Sequence, residues 1–313
     1  MKKVSIGLLA FTILLFGFIY FIIPGEVQLK SEVVIKATTP GMHRMLMDKA
    51  NIMKWWPGGK SMDSPFRKLA FDGDYYNIFD NNLSLLSVRI EDNDSRLNTA
   101  LFLISLAGDS TKLAWVGSMV TSYNPIKRFI AWQKSKRINN NMDILLQKMN
   151  SYYSEDENIY GIKVKRELVK DSVLIFTTGI SNGYPDTKFI YGLIDKLRIY
   201  ASDKLAKETG YPMLNLDKRN DSIFFVRVAL PIDKSLASLG QIFQKRMPAN
   251  GNILVAEVRG GSAITADAFT QIIQYSRDYK LVPPAIPFYS LITDRTKEPD
   301  SSKWVTKIYC PVM

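Results

Sequence analysis

The side chains able to do acid–base or metal chemistry are few. His43 is the only histidine and Cys310 the only cysteine. A nucleophile therefore has one histidine to activate it, and His–His metal pairs and multi-cysteine zinc sites are excluded. A lone cysteine also excludes an internal disulfide framework. His43 falls on a short Met-rich predicted helix and reads as a surface or packing residue. No Gly-x-Gly-x-x-Gly follows a predicted strand and no Walker loop is present. Gly58-Gly59 and Gly260-Gly261 read as turns. No catalytic residue, metal or cofactor is assigned on this basis. The remaining chemistry is aromatic. Trp55-Trp56, Trp115 and Tyr152-Tyr153 are placed either to pack or to stack on a guest. Burial at about 25 cal/mol per Å² would supply affinity, and ring faces would select shape.

These residues need a scaffold, and the chain is long enough for two. It has 313 residues, 46 % hydrophobic and 23 % charged, which is globular composition. Lys plus Arg number 41 and Asp plus Glu 30, so the net charge is 41 − 30 = +11. Such a surplus points to nucleic acid or to an anionic membrane. Part of it lies in residues 126–148, where Lys127, Arg128, Lys134, Lys136, Arg137 and Lys148 face one Asp143. No helix-turn-helix or RNA motif accompanies them, so nucleic acid is not expected as a partner. The stretch is either an ordinary solvated helix face or a surface that lies on lipid, at about 1 kcal/mol per basic residue.

The N-terminus carries the strongest signal. After Met1-Lys2-Lys3, residues Val4 to Ile23 contain no charge. As a helix rising about 1.5 Å per residue, this run spans roughly 30 Å, a hydrocarbon core. It is longer than a signal-peptide core and lacks a small-x-small cleavage site. Pro24-Gly25 stop it, and Tyr20 suits the interface. Lys2 and Lys3 favour a cytoplasmic N-terminus. A single-pass anchor over residues 1–25 is expected, with the rest outside the cytoplasm.

From Val27 to Ala37 the chain alternates and is β-branched, a strand. Thr39-Pro40 reads as cap and first turn of a short helix. Between Pro65 and Ser122 strand follows strand, separated by Asp, Asn, Gly and Ser, an antiparallel meander in which Trp115 points inward. Asn124-Pro125 repeats the cap device. Ile138, Met142, Leu145, Met149 and Tyr152 then form one apolar stripe. A helix of this kind covers a twisted sheet and commonly leaves an apolar cavity beneath it. The Glu32 to Ala37 strand, Trp55-Trp56-Pro57 and the Asn124-Pro125 helix resemble the START-like (SRPBCC) superfamily of polyketide cyclase and lipid-transfer relatives. The resemblance covers about 130 residues, 27–156. It implies a helix-grip fold around a hydrophobic pocket, with Trp115 and Trp56 as candidate lining residues.

Ser154 to Asn158 reads as an acidic linker. Beyond it a pattern occurs twice. The first copy has a strand pair within Ile162 to Ile180, a helix from about Asp186 to Ala206, Pro212-Met213-Leu214-Asn215-Leu216, and an alternating strand Ile223 to Ile232. The second has a strand Asn252 to Arg259 and a helix capped by Thr265, with Asp267 in its first turn. Pro287-Phe288-Tyr289-Ser290-Leu291 and Trp304 to Val312 complete it. A strand–helix–strand–strand unit used twice predicts a pseudo-two-fold domain with a groove. Val228-Ala229-Leu230-Pro231, the Asn252 to Gly261 strand and turn, the Tyr289 hairpin and the closing Thr306 to Val312 strand resemble the GyrI-like effector-binding domain. The resemblance implies a cleft for an aromatic or cationic small molecule. Many members carry a buried Glu where this chain has Pro287, which leaves cation preference and hydrolase activity open. Glu257 either supplies a replacement charge or faces solvent opposite a basic partner.

The expected whole is α+β: a membrane helix, a START-like helix-grip domain at 27–156, and a duplicated GyrI-like domain at 157–313. The expected function is non-catalytic binding of a hydrophobic small molecule by a protein held at the bacterial inner membrane through residues 4–23. The soluble domains would be periplasmic or extracellular. Tyr289, Trp304, Phe224 and Glu257 would line the second cleft, and Trp115 and Trp56 the first. The alternatives are a hydrolase or cyclase using Tyr289 and Glu257, and a regulatory module that contacts an envelope protein.

Overall fold

The computed structural model describes residues 16–17, 19–58, 69–92, 95–107, 109–170, 172–220, 222–247 and 249–313. The chain divides into two compact units, Met1–Glu155 and Asp156–Met313. Most of the expected membrane segment, residues 4–15 and 18, lies outside the described residues. Among the described residues no helix is long and apolar enough to cross a membrane.

The first unit is one antiparallel sheet with helices against it. Strands β1 (Glu26–Ile35), β2 (Leu69–Phe71), β3 (Asp74–Asn82), β4 (Leu85–Glu91), β5 (Arg96–Ser105) and β6 (Thr111–Val120) take the order β1-β6-β5-β4-β3-β2. The meander therefore closes by bringing its last strand back to the first. Helices α1 (Thr39–Met47) and α2 (Lys49–Ile52) follow β1, and α3 (Pro125–Tyr153) packs across β1 and β6. The α1 cap is Thr38, one residue before the expected Thr39, and its hydroxyl accepts from Gly41 N. Asn124 caps α3 as expected, accepting from the N–H groups of Ile126 and Lys127 at 3.0 and 3.1 Å. The α3 stripe holds at Ile138, Met142, Leu145 and Met149 but closes on Tyr153 rather than Tyr152.

The basic residues of α3 are largely engaged. Arg128 is buried and donates twice to the Ile23 carbonyl, at 2.9 and 2.6 Å. Lys134 pairs with Asp92, and Arg137 donates to Asp74 at 2.9 Å. Lys136 lies 3.6 Å from the centroid of the Trp132 ring.

The second unit holds helices α4 (Asp156–Tyr160), α5 (Thr187–Asp203) and α6 (Ser262–Asp278) and strands β7 (Val164–Leu168), β8 (Ser172–Asn182), β9 (Met213–Lys218), β10 (Ile223–Ile232), β11 (Phe243–Met247), β12 (Asn252–Arg259), β13 (Phe288–Leu291) and β14 (Val305–Val312). The sheet order is β11-β8-β10-β9-β13-β14-β12-β7. Its inner six strands read the same from both ends: β8-β10-β9 mirrors β12-β14-β13. The β9–β13 contact joins the halves, and Leu214 pairs there with Tyr289. These two residues are equivalent in the repeat, each second after the proline, so a pseudo-two-fold axis runs between them.

Several local expectations change. The acidic linker is in part the helix α4, tied down by Tyr279 Oη donating to Asp156 at 2.9 Å. Strands β7 and β8 are close in sequence but lie at opposite ends of the sheet. Val169, at the end of β7, exchanges backbone bonds with Asn250 and Gly251 instead of turning into a hairpin. Helix α6 begins at Ser262 with Gly261 at the cap and no acidic residue in its first turn. Thr265 is therefore inside the helix, its hydroxyl donating back to the Gly261 carbonyl at 3.0 Å. Gly260 turns the chain at φ +140°, a region open mainly to glycine.

Both α5 and α6 cover the same face of the sheet. Helix α5 buries Ile190, Ile194 and Leu197 on Val226, Val228 and Leu214. Gly179 lets it approach closely, since a Cβ there would stand 3.0 Å from Phe189 and Leu193. Helix α6 buries smaller residues, Ala268, Ile272 and Ser276.

Candidate functional site

Side chains alternate across a strand, so the register decides what reaches the helix-covered face. Tyr289 pairs with Leu214 and Ile308 and shares that face with them. Its ring centroid lies 4.9 Å from that of Phe269 on α6. Phe224, on β10, shares the face of Val226 and Val228, and its ring meets Tyr184 edge-on at 5.6 Å. Tyr184 stands just before α5 and bears electrostatically on both Tyr289 and Arg295.

The segment between β13 and β14 brings in the charge. The guanidinium carbon of Arg295 sits 4.7 Å from the centroid of the Trp304 ring, a cation–π distance. One terminal nitrogen of Arg295 donates to the Thr306 hydroxyl at 2.9 Å. The backbone N–H of Arg295 donates to Tyr191 Oη at 2.9 Å, and that hydroxyl donates to the Thr293 carbonyl at 3.3 Å. Trp304 Nε1 donates to the Glu298 carbonyl at 2.8 Å. The loop is thus pinned to α5 and β14, and its cation and indole are held in place.

The electrostatics follow from burial. Burial pushes the Tyr289 phenol well above its usual range, Tyr184 adds to the rise and Arg295 opposes it. Burial likewise raises Tyr191. Burial lowers the proton affinity of Arg295, while Tyr191, Tyr184 and Tyr289 partly restore it. An arginine remains charged through such a shift. The arrangement offers apolar rings, phenol donors and one cation to a guest.

Three expected residues, Tyr289, Phe224 and Trp304, belong to this cluster. Glu257 does not. It pairs with Lys307 across β12 and β14, is exposed, and lies 3.6 Å from the Lys307 ammonium. Lys307 precedes Ile308, so Glu257 and Tyr289 occupy opposite faces of the sheet. The acid–base pair required for a hydrolase is not assembled from these two. Arg295, Tyr184 and Phe269 were not anticipated. Arg295 sits in Thr293-Asp294-Arg295-Thr296-Lys297, a polar run with no periodicity to mark its direction.

In the first unit Trp115 and Trp56 are interior residues. Trp115 Nε1 donates to the Thr99 hydroxyl at 2.8 Å and Trp56 Nε1 to the Ala70 carbonyl at 2.8 Å. Tyr76 lies between them, its ring centroid 6.2 Å from Trp115 and 5.6 Å from Trp56. Trp55 Nε1 donates to Tyr153 Oη at 2.8 Å, joining this aromatic group to α3. A pocket nearby, lined by Leu46, Met47, Lys49, Ile52, Leu69 and Ile78, has a volume of about 10 Å³, room for one water at most. Trp56 and Trp115 are buried among these neighbours. His43 pairs with Asp80 at 3.0 Å.

No family model and no curated protein matches the chain. Among solved structures, the C-terminal domain of EcmrR is similar at 15 % identity over 49 % of this chain and 98 % of its own, with a TM-score of 0.40. A hydrolase from Listeria innocua is similar at 11 % identity over 48 % and 92 %, TM-score 0.36. SAV2435 bound to tetraphenylphosphonium is similar at 17 % identity over 48 % and 94 %, TM-score 0.34.

Proposed function

We propose that this protein captures hydrophobic or aromatic small molecules without transforming them, while tethered to a bacterial inner membrane by residues 4–23. In this reading the second unit is a GyrI-like effector-binding domain and carries the ligand. The first is a START-like domain with Trp56 and Trp115 in its interior. The observation that carries the reading is the cluster near the pseudo-two-fold axis, where Tyr289, Phe269 and Phe224 supply apolar area on the helix-covered face and Trp304 lies against Arg295. The palindromic sheet order supports the domain assignment.

The membrane tether draws support from the end of the first unit that receives the apolar run. Residues 19–22 are helical, and Phe21 and Tyr123 are 94 % and 90 % exposed. Tyr20 Oη donates to the Tyr123 carbonyl, and Ile126 and Ile130 extend the apolar surface. Arg128 holds the Ile23 carbonyl, and Thr121 Oγ1 donates to the Pro24 and Gly25 carbonyls at 2.9 Å. A chain leaving a bilayer would be gripped here at once, with apolar side chains facing lipid. The soluble units would lie outside the cytoplasm.

Native mass spectrometry of the full chain, extracted in a non-ionic detergent, tests the binding. The expected result is a small-molecule adduct that Tyr289→Leu weakens without a change of more than a few degrees in melting temperature. No adduct, with no thermal shift across a panel of hydrophobic aromatic compounds, would remove the reading. Protease added to spheroplasts tests the topology and should digest everything beyond residue 27.

A further inference from the structure

Arg295 sets the sign of the ligand. A guanidinium carries five N–H donors and prefers planar oxygen acceptors. Among the described residues Arg295 meets one side-chain acceptor, the Thr306 hydroxyl, and one ring face, that of Trp304. It forms no ion pair among the described residues. The carboxylates nearest in sequence are turned to other work. Asp294 accepts from Thr296 at 2.6 Å and lies 3.6 Å from the Lys297 ammonium. Glu298 accepts from the Asp300 N–H at 2.9 Å. The residues around Arg295, namely Tyr184, Tyr191, Tyr289, Trp304 and Thr306, carry phenols, an indole and a hydroxyl but no acid.

A half-buried charge without a counter-ion is costly, and its loop is pinned by four hydrogen bonds from Arg295, Tyr191 and Trp304. A cationic guest would meet like charge there and find no acid to offset it. An anionic guest would complete the set, its charged group on Arg295 and its apolar body against Tyr289, Phe269 and Phe224.

Taking the ring cluster as the ligand site proposed above, we infer that its ligand is an anionic amphiphile: an apolar or aromatic body ending in a carboxylate or a comparable oxyanion. Arg295 recognises the head and the rings hold the body. A charge-assisted pair of this kind separates charged from neutral analogues by about ten- to a hundredfold.

The test uses the full chain in non-ionic detergent and three probes of one shape: 2-naphthoate, 2-naphthamide and 2-naphthylmethylammonium. Binding is read by calorimetry, with empty micelles titrated as the blank. The carboxylate should bind at least about tenfold more tightly than the amide, and the ammonium most weakly. Arg295→Met should abolish the carboxylate's advantage and leave amide binding within about twofold, and Arg295→Lys should restore part of it. Circular dichroism melting of each variant establishes that it is folded. Ammonium binding equal to or tighter than carboxylate would overturn the anion assignment and leave the ligand site standing. So would an advantage unchanged in Arg295→Met. Failure of all three probes to bind the folded protein would overturn both the site and the anion.

Discussion

Arg137 and Arg295 are the same side chain in opposite circumstances. Arg137, in the first unit, reaches from α3 to Asp74 at 2.9 Å and lies 3.4 Å from Asp72. Burial works against its charge, but the Asp74 and Asp72 carboxylates outweigh that and raise its proton affinity. Arg295, in the second unit, has a hydroxyl and an indole face for company, and burial prevails. Their aromatic neighbours differ in the same way. The rings of Trp56, Tyr76 and Trp115 are buried against one another, whereas Tyr289 and Trp304 are only partly covered. A cation with its counter-ion at hand holds a fold together. A cation pinned among rings without one is available to a guest.

Substitutions can break that contrast. The largest expected effect is at Trp115: Trp115→Ala should cost about 3–5 kcal/mol, and Trp304→Ala less than about 2 kcal/mol, both by urea unfolding. Similar costs would mean that the two ring groups play the same part. Arg137→Met leaves Asp74, 1 % exposed, with an uncompensated charge and should cost about 3 kcal/mol. Arg295→Met should change stability by less than about 1 kcal/mol. If Arg295 proves the costlier of the two, its role is structural.

A pH series sharpens the picture of the second unit's core. Cys310 is fully buried and burial raises its thiol to about 11, above the roughly 8.5 of an unfolded thiol. The folded pKa is the higher, so this contribution is intact below about pH 8.5 and is lost as pH rises towards about 11. This contribution should fall by about 2 kcal/mol between pH 8 and 10, and the unfolding midpoints of Cys310→Ala should fall correspondingly less steeply than those of the unaltered chain, the buried tyrosines supplying the rest of the slope. Native Cys310 should also react with iodoacetamide at pH 8 more than about a hundredfold more slowly than in denaturant. The smallest effect is expected at Tyr289→Phe. Its hydroxyl has no hydrogen-bond partner among the described residues, so stability should move by less than about 0.5 kcal/mol.

Much of the architecture could be read locally. The Asn124 cap, the α3 stripe and the repeated Pro-x-x-x-Leu segments act within a few residues, and each stands close to where its pattern places it. Segments in the wrong company misled. Strands β7 and β8 are neighbours in sequence, yet Val169 bonds to Gly251 across the fold, and only the assembled sheet offers that partner. Thr265 resembles a cap in isolation, but Gly260 turns the chain early and the helix starts four residues sooner. Glu257 was weighed as a pocket charge because its strand borders the Tyr289 hairpin. A one-residue offset in register put it on the other face.

The order of residues by itself determined where the chain is apolar, where it turns, and that one α+β pattern occurs twice, because propensity, capping and periodicity are short-range. The tertiary structure alone decided that Leu214 and Tyr289 meet at the axis, that Tyr76 stands between Trp115 and Trp56, and that Arg295 rests on Trp304. Strand register and loop docking set these positions. Both are fixed by contacts between residues far apart in the chain, and no local pattern records them.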